Sequence, residues 1–271
     1  SASTATCRWS VRITSSVMRT NGVKRALAEG KTQLGTNFGQ LRSQDVAKIL
    51  AAAGFHWAFL DTEHGGFDLE TVQDICRISA ACGLAPIVRV ADMQYALVAR
   101  ALDCGAQGII LPRMESPEAL EKAVSWCRFP PAGVRGFGLT QFHIDFEAMT
   151  MPQMIQHFNA NTMVVFQIES RRGVEARDEL LSVPGVDAVM IGPADLSISL
   201  DVPGEFQHPR VVEAMASIRD ACDRHGVAPG TQTRTIEMAR FWRERGMRFL
   251  GCSSDVGMLY ERAREIAGQI A

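Results

Sequence analysis

No stretch of the 271-residue sequence approaches the ~20 consecutive apolar residues that a helix needs to cross a bilayer. Neither sign of charge is in marked excess. The 28 basic and 30 acidic residues are interspersed without long runs, which argues against a nucleic-acid groove or a membrane-surface patch. Cys-x-x-Cys is missing too. Cys7, Cys76, Cys82, Cys104, Cys127, Cys222 and Cys252 are odd in number and sit mostly inside apolar patterns. They read as free thiols in a reducing, cytoplasmic compartment rather than as a disulfide framework. No acidic residue precedes Glu29. The opening SASTATCRWSVRITSSV is Ser/Thr-rich, carries Arg8 and Arg12, and lacks the apolar stretch of a secretory signal. Residues 1–17 are therefore expected to be a leader, either transit or translated upstream sequence. Met18 is the expected natural start, and 18–271 a single domain.

The sequence does contain enough apolar material for a large core: 46% of residues are hydrophobic and 21% charged. Gly54, Gly83, Gly105, Gly226 and Gly246 each follow an amphipathic segment and precede an apolar run. Glycine in that place closes a helix through a left-handed turn. The runs WAFLD (57–61), PIVRV (86–90), GIILP (108–112), VVFQI (164–168) and VDAVMIG (186–192) are apolar on both faces, as strands of a helix-covered parallel sheet are. Counted through, strands near 33–38, 57–63, 86–90, 108–113, 162–169, 186–192, 228–232 and 248–252 alternate with helices. Those are expected over 43–53, 69–82, 94–104, 117–128, 171–182, 209–225, 235–245 and 256–269. Ser116-Pro117 is a helix start with its capping hydroxyl and proline in place. A doubly wound open sheet is the rival, but eight units in this length favour a closed (β/α)₈ TIM barrel. Residues 130–161 break the rhythm and read as an irregular, Gly-rich excursion, either functional or a subunit contact.

In such barrels the active site lies at the C-terminal ends of the strands. That rule selects Asp61-Thr62-Glu63-His64, Arg89, Arg113, Gln167-Ile168-Glu169 and Gly192-Pro193-Ala194-Asp195. Gln167 and Glu169 are two apart and share one side of their strand. Carboxylates from adjacent strands suit a hard, oxygen-loving cation, although they also commonly act as helix caps or partners of arginine. Arg89, at the end of an apolar run, needs an anion. It faces either a structural ion pair with Asp61 or Glu63, or a substrate carboxylate or enolate oxygen. His64 is either a satisfied polar residue or a general base. Asp103 is a solvated or capping carboxylate unless it orients His64.

FLDTEHGGFD (59–68), PIVRV (86–90), ALDCGAQGIILPRM (101–114), RFPPAGVRGFG (128–138), QIES (167–170) and GVDAVMIGPADLS (185–197) together resemble the HpcH/HpaI family. These are metal-dependent aldolases of 4-hydroxy-2-oxo acids and 2-keto-3-deoxy sugar acids. The resemblance runs from about Met18 to the C-terminus. It implies a lyase that cleaves a 4-hydroxy-2-oxo acid to pyruvate and an aldehyde, with Mg²⁺, Mn²⁺ or Co²⁺ held by Glu169 and Asp195. It further implies that the N–H groups of Ala194 and Asp195 receive the pyruvate carboxylate, and that Arg89 and Gln167 flank the keto oxygen. His64, oriented by Asp103, would be the acid/base. No Schiff-base lysine is required, and Lys24, Lys31, Lys48 and Lys122 all fall on expected helices or loops. Relatives are generally homohexamers, trimers of dimers with the last helix exchanged, so 256–269 is expected to pack on a neighbouring subunit.

Two departures from the family pattern bear on substrate. Leu139-Thr140-Gln141-Phe142-His143 follows Arg-Gly-x-Gly where the family often has a small residue, and Asn37 stands where an aromatic is usual. Both are expected near the barrel mouth, altering the aldehyde pocket. Two further readings stay open. One is a condensing enzyme that uses the same enolate chemistry on oxaloacetate or an acyl-CoA, including citrate synthesis; the other is a catalytically silent barrel that only binds.

Overall fold

The computed structural model describes residues 20–271, so the leader expected over residues 1–17 lies outside the described part. Eight parallel strands pair in sequence order: β1 (Gln33–Phe38), β2 (Trp57–Asp61), β3 (Ala85–Arg89), β4 (Gly108–Leu111), β5 (Met163–Ile168), β6 (Ala188–Ile191), β7 (Ala228–Thr233) and β8 (Phe249–Ser254). β8 returns to β1, with Gln33 opposite Phe249, and closes the sheet. The barrel is thus found and the open sheet excluded. Around it lie α1 (Gly22–Ala28), α2 (Asp45–Ala52), α3 (Leu69–Ala81), α4 (Tyr95–Asp103), α5 (Pro117–Trp126), α6 (Met151–Asn161), α7 (Arg171–Glu175) and α8 (Arg177–Leu181). α9 (Pro193–Ser199), α10 (Pro209–His225), α11 (Ile236–Glu244) and α12 (Asp255–Ile270) complete the set. The five glycines expected to end helices all take positive φ, and Ser116 caps α5 by accepting from the Ala119 N–H.

Alternation along each strand sorts the side chains between two apolar regions. Outward residues such as Ala58, Leu60, Val88, Ile109 and Phe166 meet the helices. Inward residues such as Trp57, Phe59, Ile87, Ile110, Val165 and Phe249 fill the barrel, and Val23 and Leu27 of α1 join them to plug its N-terminal end. Trp57 stacks on Phe249 with ring centroids 4.0 Å apart and donates its indole N–H to the Gln33 carbonyl. The indole reaches that place because position 35 is glycine: a Cβ there would lie 2.1 Å from the ring. Followed toward the C-terminal end, the same inward positions become Asp61, Arg89 and Gln167. The interior therefore changes from hydrocarbon to charge along its axis.

Several expectations need correction. The stretch 130–161 is not wholly irregular. It holds a 3₁₀ turn at Gln141–Ile144 and α6, which Thr150 and Gln153 start with a capping box. α1 and α9 were not anticipated, and the helix expected over 171–182 is broken into α7 and α8. Leu139–His143 does not reach the mouth of its own barrel. His143 Nε2 lies 3.0 Å from the Asp103 carbonyl at the end of α4, and the Phe142 ring sits 4.4 Å from the Arg77 guanidinium. This segment lines a cavity with Asn21, Gln107 and Thr162, near the N-terminal ends of β4 and β5.

Burial pushes the His143 pKa below its ordinary 6.5, against the raising effect of its backbone hydrogen bonds. The folded protein thus keeps His143 neutral where the unfolded chain binds a proton, so this residue's contribution to stability is lost as the pH falls below about 6.5. We expect the melting-temperature difference between wild type and His143→Gln to narrow between pH 7.5 and 5.5. A constant difference would show that the ring does not titrate this way.

Candidate active site

At the C-terminal mouth, Arg89 from β3 holds the charged layer together. Its Nε donates to Asp61 Oδ1 at 3.0 Å and Nη2 to Asp61 Oδ2 at 2.5 Å, a two-pronged pair with a buried carboxylate. Nη1 lies 3.2 Å from Glu63 Oε2 and 3.4 Å from Gln167 Oε1. Burial alone would raise the Asp61 carboxyl, but the hydrogen bonds and charge of Arg89 outweigh it and hold Asp61 below the ordinary carboxylate range. The structural ion pair anticipated for Arg89 is present, to both Asp61 and Glu63, and Arg89 lines the cavity as well. Asp61 also accepts from the N–H groups of Glu63 and His64, at 3.1 and 3.2 Å. These bonds fold the chain after β2 so that His64 is presented at the mouth, its side chain 68% exposed.

Glu169 follows β5 and is buried; Asp195 lies in the first turn of α9 and is exposed. Burial, then the charge of Asp195, push the Glu169 pKa up to about 7. Against these, Arg113 donates its backbone N–H to Glu169 Oε1 at 3.0 Å, from a left-handed conformation (φ 50°) at the end of β4. Gln167 Nε2 lies 3.3 Å from Glu169 Oε2. Among the described residues no three or more His, Cys, Asp or Glu side chains gather as a metal cluster. Two carboxylates that repel each other, with hard oxygen donors facing an open cavity, nevertheless fit Mg²⁺ or Mn²⁺, which keep several positions for water or substrate.

Gly192 makes room for that pair. A Cβ built there would fall 2.4 Å from Glu169 Oε2, the far end of a side chain that can move. Gly192→Ala is therefore expected to fold normally and to weaken Mn²⁺ binding about 10-fold or more by displacing the carboxylate, as measured by calorimetry. Unchanged affinity would show that Glu169 does not hold a cation in this position.

His64, Arg89, Gln167, Glu169, Ala194 and Asp195 line one cavity of about 490 Å³. Asp103 does not. It is the last residue of α4, which runs antiparallel to the strands, and so lies at the opposite end of the barrel from His64. There Asp103 Oδ1 pairs with the buried Arg135 at 2.9 Å. The carboxylate nearest His64 in the same chain is Glu63, with Nε2–Oε2 at 3.9 Å. Phe206, Gln232, Arg234 and Ser253, also in the cavity, carried no motif in the sequence. The alternation of β7 and β8, polar at their ends, was the available signal.

A model of the HpcH/HpaI aldolase/citrate lyase family matches residues 36–261. The chain belongs to this family. Among its HpcH/HpaI relatives, the 4-hydroxy-2-oxo-heptane-1,7-dioate aldolase of Escherichia coli is 32% identical over 249 residues, covering 92% of this chain and 94% of the relative. The hydroxypyruvate/pyruvate aldolase of Roseobacter denitrificans is 32% identical over 252 residues, covering 92% and 96%. The crystal structure of the HpcH/HpaI aldolase from Desulfitobacterium hafniense superposes with a TM-score of 0.87 at 31% identity, covering 94% of this chain and 97% of that one.

Proposed function

We propose that this protein is a class II aldolase that reversibly cleaves a 4-hydroxy-2-oxo acid into pyruvate and an aldehyde, with Mg²⁺, Mn²⁺ or Co²⁺ held by Glu169 and Asp195. The observation that carries this reading is the buried Glu169 carboxylate, raised to about 7 beside Asp195, in a cavity that also holds Arg89 and His64. The bound cation would supply Lewis-acid stabilisation to the oxygen that becomes negative. Arg89 and Gln167 flank that oxygen, and Arg89 keeps its charge because Asp61 and Glu63 hold it. The N–H groups of Ala194 and Asp195 sit in the first turn of α9 without intrahelical acceptors, and they receive the substrate carboxylate. His64 takes the proton of the 4-hydroxyl. The C3–C4 bond then breaks, its electrons pass to the keto oxygen of the 2-oxo acid, and protonation at C3 releases pyruvate.

An oligomer fits this reading. α12 exposes Val256, Leu259, Tyr260, Ile266 and Ile270, while Leu34, Phe55, Ile236 and Met258 line a groove beside it. Such faces suit exchange of the last helix within a homohexamer. An Asp103–His64 contact, which one barrel cannot make, would arise only between subunits. The six described cysteines are unpaired, in keeping with a cytoplasmic setting, and no described helix is long and apolar enough to cross a membrane.

The test is pyruvate release from 4-hydroxy-2-oxo acids, coupled to lactate dehydrogenase. Turnover should stop with chelator and return with Mg²⁺, Mn²⁺ or Co²⁺. Turnover indifferent to chelator, or CoA release from oxaloacetate and acetyl-CoA in its place, would overturn the reading.

A further inference from the structure

Two residues at the strand ends, Glu63 and Arg113, are left without a task by the reaction above. Arg113 is 63% exposed at its side chain and takes no part in lining the cavity. The Glu63 side chain beside it is only 6% exposed, and its two oxygens face different cations. Oε1 lies 3.3 Å from Arg113 Nε, whereas Oε2 lies 3.2 Å from Arg89 Nη1 and 3.9 Å from His64 Nε2. Oε2 is nevertheless buried and accepts no hydrogen bond among the described residues. Charge rather than directed bonding therefore holds this oxygen, and a buried charge is stable only while an opposite charge stays near. Arg113 is fixed in place by its backbone. It takes a left-handed conformation (φ 50°), costly for a residue with a side chain, while its N–H donates to Glu169 Oε1.

We propose that Arg113 is a positioning residue of the aldolase reading above, on which the assignment rests: by sharing Glu63 it leaves the charge of Arg89 to the substrate oxygen. Arg89 Nη1 is divided between Glu63 Oε2 and Gln167 Oε1, 3.4 Å away. A second guanidinium on the other oxygen of Glu63 offsets that carboxylate from its outer side, so that Arg89 is not spent on it. The charge balance points the same way. Four carboxylates, Asp61, Glu63, Glu169 and Asp195, face two guanidinium groups, Arg89 and Arg113, at this mouth. A divalent cation brings this layer to neutrality. Without Arg113 the loaded site is negative before the 2-oxo acid, itself an anion, arrives. Arg113 thus favours the substrate at some cost to the cation, because its charge attracts the one and repels the other.

Arg113→Met keeps the stem and the N–H to Glu169 but removes the charge, which separates electrostatics from structure. Calorimetry on the metal-free protein should show Mn²⁺ binding about threefold tighter in the variant. On the Mn²⁺-loaded protein pyruvate should bind about fivefold more weakly, and both differences should shrink at high salt. At saturating pyruvate, solvent deuterium should enter the methyl group about fivefold more slowly, since Arg89 then faces Glu63 alone. Arg113→Lys should restore all three quantities. In a Glu63→Gln background, where no carboxylate remains to be shared, the exchange defect at saturation should largely disappear. Local damage would weaken Mn²⁺ and pyruvate together. That result, unchanged binding of both, or an exchange defect undiminished in Glu63→Gln overturns the assignment. Absence of exchange in the wild type brings down the aldolase reading and the assignment with it. Exchange in the wild type that Arg113→Met leaves unaltered brings down the assignment alone.

Discussion

Glu169→Gln is expected to reduce metal-dependent turnover by about 10³-fold while leaving the barrel intact. The amide fills the same space but gives the cation a neutral ligand, and Lewis-acid stabilisation of several kcal/mol translates into losses of this order. The variant also separates catalysis from stability. In the metal-free protein, burial and the neighbouring Asp195 disfavour the ionised Glu169, which titrates at about 7. Its folded pKa lies above that of the unfolded chain, so the ionised carboxylate destabilises the fold as the pH rises through 7. Metal-free Glu169→Gln should therefore melt above metal-free wild type at pH 8, and should lack the rise in melting temperature that Mn²⁺ is expected to give the wild type. Full turnover in this variant, or an undiminished response to Mn²⁺, would remove Glu169 from the site.

Arg89→Met should damage both fold and chemistry. It leaves two buried carboxylates, Asp61 and Glu63, without their shared cation. Breaking a buried pair from one side costs about 3–5 kcal/mol, which for a domain of this size lowers the melting temperature by roughly 10 °C. Arg89→Lys should recover part of the stability and little of the activity. One ammonium cannot donate in a two-pronged way to Asp61 and also face Glu63 and Gln167. Differential scanning calorimetry and pyruvate assays on the two variants check this. A melting point within 2–3 °C of wild type for Arg89→Met would show that the carboxylates find other partners.

The charged layer was legible because it obeys alternation. Gln167 and Glu169 are two apart, and Arg89 ends a run whose other residues are apolar. Helix ends were legible where chemistry marks them, at Ser116-Pro117 and at the five glycines with positive φ. α6 was missed although Thr150 and Gln153 signal its start; none of its residues is buried, so no apolar face drew attention to it. Within one chain Asp103 lies far from His64 for a topological reason. The end of a helix that returns between parallel strands lies at the opposite rim from the strand ends. Leu139–His143 folds beneath the barrel through contacts with Arg77 and Asp103 that lie far away in sequence.

The sequence by itself determined the order of strands and helices, the apolar interior and the identity of the residues at the strand ends, since these follow from local pattern and period. Only the tertiary structure decided what those residues became. Closure of β8 onto β1 brings Asn37 and Ser253 to face the carboxylates of β5 and α9 across a single cavity. The ionisation of Glu169 depends on how far water is excluded and on the charges that other elements bring near it, and no window of sequence contains either quantity.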